Sequence, residues 1–106
     1  MAKFLAQATY NADGLKGLQK EKASGREAVV RRAVEALGGK LESMYYSFGE
    51  YDVILIVDVP DTVSMTAFAF AVSASGLVRT RTTPLLTIEE TDRALSKSVE
   101  YKPPRA

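Results

Sequence analysis

Residues 49–59 read Gly-Glu-Tyr-Asp-Val-Ile-Leu-Ile-Val-Asp-Val, and from Val53 to Val57 every side chain is apolar. Successive side chains of a strand point to opposite faces, so Val53, Leu55 and Val57 face one way while Ile54 and Ile56 face the other. Both faces of such a strand need cover. In a chain of 106 residues one layer of helices covers one face, and a second copy of the protein is the economical cover for the other. The expectation is a homo-oligomer, at least a dimer, with Ile54 and Ile56 in its interface.

Working outward, Lys40 to Phe48 reads as the preceding strand, with a turn near Gly49-Glu50 handing over to a strand from Tyr51 to Val59. Upstream, Ser24-Gly25-Arg26-Glu27 has capping-box spacing and predicts a helix start. Val30, Ala33, Val34 and Leu37 then fall on one helical face, and Gly38-Gly39 supplies a stop. Before that helix, Asn11-Ala12-Asp13-Gly14 reads as a turn, and the polar stretch from Lys16 to Lys22 as a loop or one frayed helical turn. Lys3 to Tyr10 alternates with period two, as a strand does.

Downstream, Pro60-Asp61 breaks the strand, and Asp61 or Thr62 caps a second helix with Met65, Phe68, Ala69 and Val72 on one face. Gly76 ends it. A fourth strand runs from about Leu77 to Leu86, with Pro84 pointing to an edge position. Thr87 to Lys97 reads as a short terminal helix. Residues 1–97 therefore form one domain, and residues 98–106 a loose tail. The order is β-α-β-β-α-β, an α+β, ferredoxin-like plan. Right-handed crossovers place both principal helices on one face of a four-stranded antiparallel sheet and leave the other bare.

Composition narrows the chemistry. Hydrophobic residues make up 46% and charged residues 25%, with a formal net charge of +1. That balance suits a folded domain and supplies no field that recruits nucleic acid or membrane. The chain has no cysteine and no histidine. Disulfides, thiolate nucleophiles, sulfur-ligated metals and histidine-based acid–base, metal or haem chemistry are thereby excluded. No metal or other cofactor is expected. The first residues lack the long apolar run of a signal peptide, and no segment approaches the roughly 20 apolar residues of a membrane span. Cytoplasm is the expected location.

Gly49-Glu50-Tyr51-Asp52, the apolar strand after it, the aspartate-capped helix with Phe68, and Gly76-Leu77-Val78-Arg79-Thr80 together resemble the GYD domain family. The family's glycine, tyrosine and aspartate are matched by Gly49, Tyr51 and Asp52, and the likeness runs from Lys3 to about Glu90. The resemblance implies a dimeric α/β barrel, two ferredoxin-like protomers packed sheet against sheet, and supplies no catalytic activity. The same hairpin and helix look remotely like the effector-binding domain of leucine-responsive bacterial regulators, which suggests a small-molecule-binding oligomer without their DNA-binding domain.

Tyr51 beside Asp52 invites a proton-transfer reading. Adjacent strand residues splay to opposite faces, so a structural role for the motif is the better one. Arg79 and Arg81 share a strand face and suit an anionic ligand, with Tyr10 and Tyr46 as further candidates at the same site; the alternative for the arginines is edge-strand charge. Met44, Met65 and Phe68 read as core, and the basic residues from Lys16 to Arg32 as a solvated face. The favoured function is a non-catalytic homo-oligomer that binds a small, anionic molecule between helices and sheet. A cofactor-independent monooxygenase- or isomerase-like enzyme is one alternative, and a structural assembly module the other.

Overall fold

The computed structural model describes residues 1–105; Ala106, at the end of the anticipated tail, lies outside the described residues. The elements are β1 (Ala2–Tyr10), α1 (Ala12–Ala36), β2 (Lys40–Tyr46), β3 (Val53–Val59), α2 (Thr62–Ala74), β4 (Val78–Leu85) and α3 (Ile88–Leu95). They build one sheet in the order β2-β3-β1-β4, with every neighbouring pair antiparallel. This is the α+β, ferredoxin-like arrangement, with a third helix appended.

Register sorts the side chains. Phe4, Ala6 and Ala8 on β1 lie opposite Val57, Leu55 and Val53 on β3, and all six are buried. They share a face with Leu41, Met44 and Tyr46 of β2, and Val34, Met65 and Phe68 close over this face from the helices. α1 rests chiefly against β2 and α2 chiefly against β4. The opposite face carries Leu5 directly beside Ile56, and Gln7 beside Ile54. As the alternation predicts, Val53, Leu55 and Val57 are buried while Ile54 and Ile56 are only half-buried.

Two terminators behave as read. Gly38 takes a positive φ of 81° after α1, a conformation that L side chains avoid. At Gly39 a Cβ would collide with the Asp58 carbonyl oxygen and come within 2.8 Å of Val59 Cγ1, so glycine lets the chain pass tightly from α1 into β2. Asp61 caps α2, its Oδ1 accepting the Ser64 N–H at 2.8 Å. Pro84 sits on the edge strand β4.

The segment expected to be a turn and loop is instead helix. Asn11 is the N-cap, its Oδ1 accepting the Gly14 N–H at 2.8 Å while its Nδ2 donates to the Gly76 carbonyl at 2.8 Å. α1 thus starts twelve residues before Ser24 and runs polar because most of its first half is exposed. The helix breaks at Lys22, where φ is 71° and ψ 160°. Ser24 lies just beyond this break, so its capping-box spacing marks the resumption of the helix rather than its origin. The central hairpin is also more open than expected, since β2 stops at Tyr46 and β3 starts at Val53. Ser47 takes over the polar groups between them, its Oγ donating to the Tyr51 carbonyl at 2.9 Å and accepting the Gly49 N–H at 3.3 Å.

Candidate functional site

Because α1 and α2 lean toward opposite edges of the sheet, a cleft opens between them over the central strands. Ala6 and Ala8 form part of its floor, and their short side chains leave the space that larger residues would fill. The cavity measures about 280 Å³. Leu55, Val53 and Met44 continue the floor, Val30 lies on the α1 side, and Phe68 and Val72 on the α2 side. This lining is apolar with a few polar groups, the composition common to ligand pockets.

The polar lining groups are Tyr10, Arg26, Ser75 and Thr80, and Tyr46 borders the lining through Tyr10. Tyr10 and Tyr46 come from β1 and β2, and their hydroxyls meet at 3.3 Å. Burial, reinforced by the hydrogen bond to Tyr10, pushes the Tyr46 phenol above its ordinary range. It stays protonated at neutral pH and is no general base there. Arg26, on α1, is the one charged side chain lining the cleft among the described residues. Its Nε lies 3.5 Å from Glu21 Oε1, yet this buried N–H has no hydrogen-bond partner. An ion pair at that distance without hydrogen-bond alignment leaves donor capacity unspent.

The four residues expected to form one site are divided between two faces. Tyr10 and Tyr46 line or border the cleft as a pair. Arg79 and Arg81 do not join them: register places Arg81 opposite Gln7 and Arg79 opposite Thr9, on the bare face shared with Ile54. Arg81 Nη1 there donates to the Tyr51 hydroxyl at 3.4 Å. The pleat is the reason, since odd-numbered residues of β4 point away from the helices. The residue that the sequence reading passed over is Arg26, counted among solvated basic groups. Its signal was present, because Arg26 lies four residues before Val30, on the apolar stripe of its own helix.

The Gly49-Tyr51-Asp52 trio lies outside the cleft lining, and its aspartate joins strands. Asp52 N–H donates to the Ala8 carbonyl and the Asp52 carbonyl accepts from Ser47 N–H, at 2.9 and 2.8 Å. Asp52 Oδ2 accepts the Tyr10 N–H at 2.9 Å. One residue therefore ties β1, β2 and β3 together where the hairpin leaves the sheet. Compared with known families, residues 4–95 match the GYD domain. The chain belongs to the GYD domain family. Among curated proteins no match is found. In this GYD domain the aspartate of the motif secures the backbone at Tyr10, the strand position that carries one member of the tyrosine pair. No helix among the described residues is long and apolar enough to cross a membrane.

Proposed function

We propose that this GYD domain protein is a non-catalytic, cytoplasmic homo-oligomer that binds a small molecule in the cleft between its helices and its sheet. The observation that supports the reading is the cleft itself, an apolar cavity lined by one cation, Arg26, and by Tyr10, whose hydroxyl meets that of the bordering Tyr46. Nothing in that set is an activated nucleophile: the phenols bond to each other, and Tyr46 holds its proton tightly. Oligomerisation draws its support from the bare face, where Leu5, Ile54 and Ile56 form an apolar ridge without helices over it. A contiguous apolar surface of this kind favours a protein partner, and identical copies meet it with the same patch.

A thermal-shift screen of metabolite classes tests the binding reading. A ligand that raises the melting temperature in proportion to the logarithm of its concentration supports it. Turnover of the stabilising compound instead makes the protein a cofactor-independent enzyme, and a blank screen with stable assembly makes it a structural module.

A further inference from the structure

We infer that the ligand of the cleft is a small monocarboxylate with a compact apolar body, its carboxylate held by Arg26 and the Tyr10–Tyr46 hydroxyl pair; this deepens the binding reading above and rests on it. Charge points there first. Arg26 is the one charged side chain lining the cavity among the described residues, and its Nε is buried without a hydrogen-bond partner. Glu21 Oε1 stands 3.5 Å from that Nε as a counter-charge without an aligned hydrogen bond, so guanidinium N–H groups remain to be given, and their geometry suits the two oxygens of a carboxylate. A second negative charge would find no second cation in the lining, so a monoanion fits better than a dianionic phosphate.

The balance of donors and acceptors points the same way. In the Tyr10–Tyr46 pair one hydroxyl donates to the other, and whichever does so, the acceptor keeps its own proton to give. Ser75, also in the lining, has already spent its proton on the Val72 carbonyl at 2.8 Å and accepts from Leu77 N–H at 3.2 Å. Thr80 Oγ1 faces Ser73 Oγ at 3.4 Å. The cleft therefore offers unspent N–H and O–H donors and no carboxylate or amide side chain among its lining residues. That surplus selects a ligand head that accepts and does not donate. Size limits the body, since about 280 Å³ lies just below the roughly 300–1,000 Å³ typical of drug-sized ligands. Beyond the head, Phe68, Leu55 and Met44 offer only apolar contact.

The test is titration calorimetry on the full chain with phenylacetate and hexanoate, each against its neutral amide, phenylacetamide and hexanamide. At least one carboxylate should bind wild type at least about tenfold more tightly than its amide, the effect of one charge-assisted hydrogen bond. Arg26→Gln should abolish that preference and Arg26→Lys should keep part of it, both with an unchanged thermal melt in the absence of probe. Ala71→Phe, which fills the exposed α2 rim of the cavity, should remove binding of every probe. Equal binding of acid and amide to wild type overturns the carboxylate assignment and leaves the cleft standing. Unchanged binding in Ala71→Phe removes the cleft as the site, and with it both readings. No binding of either acid at millimolar concentration overturns the ligand class, a result that needs no variant to fold.

Discussion

At Lys22 a lysine adopts φ 71° and ψ 160°, a region that glycine enters freely and other residues enter at a cost of about 1–3 kcal/mol. Lys22 is exposed, so no contact opposes its replacement. Lys22→Gly should raise the unfolding free energy by about 1 kcal/mol, after the extra flexibility of glycine in the unfolded chain is subtracted. Urea denaturation measures it, and a loss of stability would contradict the strained geometry. Asp52 gives the opposite expectation. Removing its carboxylate leaves the half-buried Tyr10 N–H without its partner, a loss of roughly 1–3 kcal/mol. Asp52→Ala should therefore lower stability in the same titration. Single residues were unevenly legible: Tyr51 and Asp52, expected on a strand from Tyr51, precede β3, which starts at Val53, and bond to different partners, Arg81 and Tyr10, whereas which face Arg79 and Arg81 occupy depends on pairing with β1, a strand at the other end of the chain and beyond the reach of any local pattern.

Elements were legible where a buried stripe marked them. β1, β3, α2 and the second half of α1 each carry a periodic apolar set, and each appears where that set lies. The first half of α1 carries no such stripe, since Gly14 is its one buried residue and Leu18 is half-buried. Its formation rests on capping by Asn11 and on the close seat of Gly14 against the Leu77 carbonyl, which a search for periodicity passes over. Helix starts also set the acid response. Asp61 and Glu90 each accept a backbone N–H at a helix start, from Ser64 and from Thr87 respectively. Hydrogen bonds to the backbone hold both carboxyls below their ordinary values. The unfolded chain then binds protons more readily than the folded one, so their contribution is present above the ordinary carboxylate range near about pH 4. It is lost as pH falls through the lowered folded values. Asp61→Asn with Glu90→Gln keeps capping oxygens that do not titrate, and should flatten the acid limb of stability measured by thermal melts between neutral and acid pH.

On the scale of the whole molecule, the chain is extended rather than compact. Its radius of gyration is 16.9 Å, against about 13 Å for a compact domain of this length. The terminal segment carries exposed apolar groups: Ile88, Leu95 and Val99 are 81%, 78% and 81% exposed, and Ile88 and Leu95 lie on one side of α3, two turns apart. Exposed apolar groups here and on the bare sheet face lead to the same expectation. Sedimentation equilibrium at micromolar concentration should return at least a dimer, and Ile54→Asp should shift it toward monomer, because a carboxylate would enter the interface without a partner. A stable wild-type monomer would remove the sheet-to-sheet argument. The plan of the domain was legible at this scale because strand order follows from few connection rules, while the geometry of any assembly is a property of two chains and lies beyond one sequence read alone. The outer strands bear on what kind of assembly is available. β4 has Pro84, without an N–H to give, and β2 has a register shift between Leu41 and Ser43; both spoil the template that an added strand would need. Growth along the edges would be open-ended, each new strand exposing another, whereas two faces that meet use each other up. Assembly through the sheet faces would therefore have a last step, and raising the concentration should populate a definite particle in place of a lengthening ribbon.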